Sequence, residues 1–252
     1  MRITSCGITD VGERRAHNED NFLVNDELQL FVVCDGMGGH VGGEIASAIA
    51  VHTLEEAFSS IDWEQRLESK QEEAEEIAAE QLRFAVRLAG KRVHEIAQKE
   101  QKYHGMGTTC LAAFVDRAHA YIAHVGDSRA YLIRGARIEQ LTEDHSLVNE
   151  RIRAGLMTAD EAKNHKLKNI ITRSLGFYED VEIDVQSVAL RKNDRILLCS
   201  DGLSNLVEPH EMAEPILSLS LQDAARKLIL LACERGGDDN ITVVLVRVDE
   251  CP

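Results

Sequence analysis

Proline is scarce in this chain, with three in 252 residues. No proline-rich or low-complexity linker divides it and no internal repeat is present, so one domain spanning residues 1–252 is the economical reading. Basic charge is also in deficit: 28 Lys and Arg stand against 43 Asp and Glu, a formal net charge of −15. That balance argues against a nucleic-acid partner, which needs a basic stripe, and against docking on an anionic membrane surface. No run is apolar for long enough to cross a bilayer, so no membrane insertion is expected. The N-terminal MRITSCGITD lacks the apolar segment of a secretory signal. Zinc-type C-x-x-C pairs are absent too. The six cysteines, Cys6, Cys34, Cys110, Cys199, Cys233 and Cys251, sit singly, several inside apolar runs such as LFVVC and ILLCS. They read as buried thiols of a reducing, cytoplasmic compartment.

Apolar residues make up 44% of the chain, which excludes a disordered polymer despite the charge. Short strands are expected at about 2–8, 20–25 and 28–34. A glycine cluster follows (DGMGGHVGGE, 35–44), then a helix at about 44–58 with Ile45, Ile49 and Leu54 near helical spacing. Residues 63–100 read as a second, long helix, acidic first and then carrying Leu82, Phe84, Val86, Leu88, Val93 and Ile96. A strand-rich block comes next (TTCLAAFV, HAYIAHV, RAYLIR, RIEQLT), with Gly135 marking a hairpin. Residues 145–175 look irregular and partly helical. Strands at about 181–188 and 194–199, helices at about 208–217 and 221–234, and a last strand ITVVLVRV complete the pattern. Helices flanking two groups of mainly antiparallel strands predict an α+β fold with a central β-sandwich, in α-β-β-α layers.

Five places put acids at strand ends. Asp35 ends the apolar run LQLFVVC and is followed by Gly36, an arrangement that suits a hard cation such as Mg²⁺ or Mn²⁺ and equally a plain strand-to-helix turn. A dinucleotide loop fails, because G-x-G-x-x-G from Gly36 needs glycine where Val41 stands. Asp201 and Gly202 repeat the pattern after ILLCS, although Asp-Gly is also ordinary turn chemistry. Asp238, Asp239 and Asn240 precede the last strand, Asn18, Glu19 and Asp20 precede FLV, and Asp127 occupies a turn between two strands. Carboxylates brought together repel unless a cation or proton neutralises them. An upstream arginine suits a phosphate oxygen pair.

Several stretches together resemble the PPM family of metal-dependent protein serine/threonine phosphatases, type 2C, in its compact bacterial form. They are TDVG-x-x-R-x-x-NED (9–20), DGMGGH-x-x-GE-x-AS (35–47), MGTT (106–109), GDSRAYL (126–132), LTEDHSLV (141–148), ITRSLG (171–176), SDGL (200–203) and DDNITVV (238–244). The resemblance implies a helix-flanked β-sandwich, two core Mn²⁺ or Mg²⁺ ions and a weaker third. Asp35 would bridge the core ions, the Gly36 carbonyl would bind one, and Asp201 and Asp239 would complete the pair. Asp20 would support the site, Asp127 would hold the third ion with Asp201, and Arg15 would bind the substrate phosphate. Arg14 would be its solvated neighbour, and 145–175 a flap beside the substrate entrance. The partners implied are phosphorylated proteins and a serine/threonine kinase whose action the enzyme opposes, with the chain a monomer.

Two departures from the family pattern stand out. Met37 replaces a histidine that some members use as general acid, which leaves a water at the metals as the expected proton donor and His40 as a lesser candidate. Lys166 stands where a flap proline is usual. A cysteine-based phosphatase is excluded because no cysteine has arginine six residues on, and no Walker-type loop is present. A catalytically dead relative would lack one or more of the aspartates, and all are here. A regulator acting on an anti-sigma-antagonist type of partner shares the chemistry and differs only in substrate.

Overall fold

The computed structural model describes residues 1–38, 42–61, 71–163 and 165–251. Its elements run β1 (Arg2–Asp10), β2 (Asp20–Asn25), β3 (Leu30–Met37), α1 (Gly42–Ser59), α2 (Gln71–Lys99), β4 (Gly107–Thr108), β5 (Cys110–Asp116), β6 (His119–Val125), β7 (Arg129–Arg134), β8 (Arg137–Gln140), α3 (Leu147–Arg153), α4 (Ala159–Lys163), β9 (Asp184–Ala189), β10 (Arg195–Cys199), α5 (Asp201–Ser204), α6 (Pro209–Ser218), α7 (Leu221–Glu234) and β11 (Ile241–Glu250). One sheet has the order β1-β11-β10-β7-β8; the other has β2-β3-β5-β6-β9, with β4 paired to β3. The pairings within both sheets are antiparallel.

The strands sort their side chains with a period of two into three cores. Leu30, Val32 and Cys34 of β3 face α1 and α2, while Phe31 and Val33 face the other sheet. In β11, Ile241, Val243 and Leu245 face α6 and α7, and Val244, Val246 and Val248 meet the facing sheet. Because both faces are covered, these strands read as continuous apolar runs without polar alternation. The result is the helix–sheet–sheet–helix layering that the strand and helix pattern predicts.

Small residues let the helices lie close to the sheet. Ala46, Ala50, Leu54 and Phe58 of α1 are buried, and Ile45 and Ile49 only partly so. Along α2 the buried stripe is Ala74, Ala78, Leu82, Ala85, Val86, Ala89, Val93 and Ala97, at three- and four-residue spacing. Phe84, expected in the apolar half of this helix, is 63% exposed because it lies off that stripe. The expected first turns of this helix, residues 63–70, lie outside the described residues. Strand β9 starts at Asp184, later than the expected 181. The six cysteines are unbridged, and Cys6, Cys34, Cys110 and Cys199 are buried, as expected.

Candidate active site and metal centre

Strand pairing alone brings the separated acids to one end of the sandwich. Asp20 lies directly opposite Asp35 in the β2–β3 ladder. In the other sheet Cys199 pairs with Val243, so the end of β10, before Asp201, lies beside the start of β11, after Asp239. Arg129 pairs with Cys199, which sets the 126–128 turn and Asp127 next to Asp201. Asp20 ties the two sheets together there: its Oδ2 accepts from Ser200 Oγ at 2.7 Å and Thr242 Oγ1 at 2.6 Å.

These carboxylates sense one another. Burial, then Asp20, Asp201, Asp127 and Asp239, hold the Asp35 carboxyl well above its usual range. Burial, against the hydrogen bonds from Thr242 and Ser200 and with the charges of Asp201 and Asp239, pushes Asp20 up to about 7. Burial followed by Asp201 and Asp144 pushes Asp127 up to about 7. Burial followed by Asp239 pushes Asp201 up to about 6. Asp20 Oδ1 and Asp201 Oδ1 are buried and find no hydrogen-bond partner among the described residues. Buried carboxylates that raise one another's pKa form an all-oxygen donor set, which fits hard divalent cations such as Mn²⁺ and Mg²⁺. Asp35 and Asp201 each keep an edge open to solvent, so a substrate can reach them.

The backbone around Gly36 leaves no room for a side chain. A Cβ there would lie 2.1 Å from the Gly43 carbonyl oxygen and 2.5 Å from the Glu19 carbonyl oxygen. Gly36 N–H donates to that Glu19 oxygen at 3.1 Å. Thr108 Oγ1 donates to the Asp35 carbonyl at 2.9 Å, and the Asp35 N–H donates to Thr109 Oγ1, also at 2.9 Å. Thr109 Oγ1 in turn meets Ser128 Oγ at 2.8 Å, linking Asp35 to the Asp127 turn.

Arg15 lies at the mouth, its Nη2 donating to Asp239 Oδ2 at 2.7 Å. Burial, which disfavours the charge, is outweighed by Asp239, Glu19 and Asp35, so its guanidinium is held more firmly charged. Arg14 points away, with a side chain 72% exposed and a 3.9 Å contact to Asp238. Asn240 clasps the loop: its amide donates to the carbonyls of Val11 (2.9 Å) and His17 (3.0 Å), and its Oδ1 accepts from Glu19 N–H at 2.8 Å. Asn240, Ser200 and Thr242 sit inside motifs quoted above, yet their role shows only once the sheets stack. Met37 places no acid at the site. His40 lies outside the described residues.

A cleft of about 460 Å³ opens between Asp127 and Asp201 on one wall and residues of the 145–175 segment, including Ser146, Val148, Ile152 and Lys168, on the other. At its base Arg129 grips Asp144 through Nε and Nη2, with contacts of 2.6–3.1 Å. A separate group, His124, His145 and Asp184, offers three ligand atoms within 4.8 Å of one another. It does not suit a metal. Gly126 N–H donates to His145 Nδ1 at 3.1 Å, so the ring's single proton is on Nε2, which faces Asp184 Oδ2 at 3.2 Å. The two imidazoles are stacked at 4.7 Å and 13°, so their lone pairs lie in nearly parallel planes.

The protein phosphatase 2C family model matches residues 12–228. Serine/threonine phosphatase stp of Listeria monocytogenes is 42% identical over 245 residues, 96% of this chain and 94% of that protein. The crystal structure of Mycobacterium tuberculosis serine/threonine phosphatase PstP/Ppp superposes with a TM-score of 0.88 at 31% identity, covering 98% of this chain and 99% of that one. The catalytic domain of serine threonine protein phosphatase PstP, in complex with two manganese ions, does so with a TM-score of 0.85 at 31% identity and 98% and 99% coverage. On this match of sequence, fold and acidic strand ends, the chain belongs to the protein phosphatase 2C family.

Proposed function

We propose that this chain is a metal-dependent protein serine/threonine phosphatase, with Mn²⁺ or Mg²⁺ held by Asp20, Asp35, the Gly36 carbonyl, Asp127, Asp201 and Asp239. The observation that carries this reading is that Asp35 feels the charges of Asp20, Asp127, Asp201 and Asp239 at one end of the sandwich, with Asp20 Oδ1 and Asp201 Oδ1 buried and without a hydrogen-bond partner among the described residues. The family membership and the two manganese ions in the PstP complex support it. Bound ions would supply Lewis-acid polarisation of the phosphoryl group and lower the pKa of water.

The protein's own groups do the rest. Asp35, which feels the charges of Asp20 and Asp201, would be the central carboxylate of the set that holds the two core ions. Asp127, with Asp201, would hold a weaker third. Arg15 turns its paired N–H groups from Asp239 to two phosphate oxygens and aligns the ester for in-line attack. With Met37 beside Gly36, the serine or threonine oxygen takes its proton from a water rather than from a side chain. Residues 1–252 act as one catalytic domain, a cytoplasmic monomer that opposes a serine/threonine kinase, and 145–175 is the flap bordering the phosphoprotein.

The test is hydrolysis of a phosphothreonine peptide and of a phosphotyrosine peptide, each with Mn²⁺ and with EDTA. The expected result is hydrolysis of the phosphothreonine peptide that EDTA abolishes and Mn²⁺ restores. Full activity in EDTA, or a preference for phosphotyrosine, contradicts the reading.

A further inference from the structure

His145 sits where four parts of the chain meet. Its backbone N–H donates to the Gly126 carbonyl at 2.9 Å, and its own carbonyl accepts from Thr172 N–H at 2.8 Å. Leu147 N–H donates to the Ile170 carbonyl at 2.8 Å, and Ser146 bridges Ile171, so entry and exit of the 145–175 segment run side by side here. The ring is buried and doubles the link to the turn, because Nδ1 accepts the Gly126 N–H. Gly126 has φ +110, and a Cβ on it would meet the Thr109 side chain at 2.6 Å, so the turn that presents Asp127 has little slack of its own.

The other ring nitrogen is spoken for as well. Nε2 faces Asp184 Oδ2, and Arg173 Nη1 donates to Asp184 Oδ1 at 3.1 Å while lying 3.2 Å from that nitrogen. Arg173 lies in the exit end of the segment and also pairs with Glu182 at 2.7 Å. His124, opposite Asp184 in the β6–β9 ladder, stacks on the His145 ring and donates Nε2–H to the Glu143 carbonyl at 2.9 Å. Burial, and then His124, holds the His145 ring below its usual range and therefore neutral, the state in which Nδ1 can accept.

We propose that His145 is a positioning residue: through the Gly126 N–H···Nδ1 bond it fixes the Asp127 turn to the base of the 145–175 flap, so that the third-ion site and the substrate cleft keep one relative geometry. It touches neither substrate nor ion and acts through Gly126. The inference rests on the phosphatase reading for its kinetic consequence, while its structural core, the coupling of His145 to the Asp127 turn, can be read without activity.

Two near-isosteric variants separate the ring's two bonds. His145→Asn keeps an oxygen where Nδ1 accepts from Gly126; His145→Gln loses that acceptor and keeps a donor toward Asp184. Each is compared with wild type by kcat and KM on a phosphothreonine peptide and on p-nitrophenyl phosphate, by Mn²⁺ calorimetry and by amide exchange at Gly126. Loss of one neutral hydrogen bond corresponds to about tenfold. His145→Gln is therefore expected to raise peptide KM and weaken the weakest Mn²⁺ step by about that factor, with faster exchange at Gly126. Its kcat on the small ester should stay within about twofold of wild type, and His145→Asn, which keeps the Gly126 acceptor and loses only the bond to Asp184, should shift KM in the same direction by clearly less. Equal effects of the two variants, or a fall in Tm alone with KM and the weak Mn²⁺ step unmoved, overturn the proposal. Asp184→Asn, on a half-exposed edge strand, is the arm least at risk of misfolding, and it should shift KM in the same direction by less. Should Asp184→Asn leave KM unchanged, the ring is not held from that side and the proposal fails in that part. Were wild type itself inactive with Mn²⁺, the phosphatase reading would fall, and Gly126 exchange with the Mn²⁺ isotherm would still decide the role of His145.

Discussion

Replacing Asp201 by Asn should stabilise the metal-free protein and destroy its response to metal. Asp201 Oδ2 accepts from Asn205 Nδ2 at 3.0 Å, and Oδ1 is buried without a partner among the described residues. An asparagine can keep accepting from Asn205 while removing the charge that Asp35 and Asp239 oppose. Burial and then Asp239 lift the Asp201 carboxyl from 3.8 to about 6, so ionising it in the folded chain costs about 3 kcal/mol at most. The native state thus holds this proton to higher pH than the unfolded state. The stability it contributes is complete below the unfolded value of 3.8 and lost as pH rises through about 6. In EDTA, wild type should lose stability between about pH 4 and pH 7, and Asp201→Asn should lose less. At about 2–4 °C per kcal/mol, the variant's Tm should exceed wild type by up to about 10 °C near pH 8, with the gap closing near pH 4. Scanning calorimetry with and without Mn²⁺ reads this directly, and Mn²⁺ should reverse the order by stabilising only wild type. A variant less stable than wild type in EDTA near pH 8, or a gap of the same size at both pH values, would refute the electrostatic argument.

Three further outcomes are expected. Arg15→Lys, which keeps the charge but not the paired donors, should raise peptide KM about tenfold in steady-state kinetics while Mn²⁺ affinity holds. Gly36→Ala places a Cβ 2.1 Å from the Gly43 carbonyl oxygen, a backbone clash that no rotamer relieves. It should cost at least about 3 kcal/mol in urea unfolding and remove activity even at high Mn²⁺. Asp194 is buried at 2% exposure, grips Arg134 through both oxygens and accepts from the Arg191 N–H at 2.7 Å. Asp194→Ala, far from the catalytic end, leaves Arg134 partly exposed to water and the Arg191 N–H without its partner, and should destabilise by about 1–3 kcal/mol, seen as a lower denaturation midpoint with kcat near wild type in dilute urea.

The layering was legible because strands buried on both faces carry unbroken apolar runs, as LQLFVVC and ITVVLVRV do. The candidate site was legible for a related reason: Asp35, Asp201 and Asp239 each abut such a run, and a charge at its end has nowhere to go but the rim. What could not be read was anything set by register. That Asp20 lies opposite Asp35, and that it accepts from Ser200 and Thr242 in the other sheet, follows from the stacking of strands about 180 and 222 residues away in sequence. The cluster of His124, His145, Arg173 and Asp184 draws on four segments and has no local signature. Phe84 misled for another reason: hydrophobicity marks a core candidate, but the buried stripe of α2 is built largely of alanine, which periodicity in large residues overlooks.

Counting bound ions shows whether the aspartates at the end of the sandwich are a metal centre. Equilibrium dialysis against Mn²⁺ near neutral pH should give two tightly held ions per chain for wild type. The variant Asp35→Asn, folded and with its Asp20, Asp201 and Asp239 intact, should lose at least one of them. Retention of two ions at wild-type affinity in Asp35→Asn, or no tight ion in wild type, would mean that these aspartates are not a metal centre.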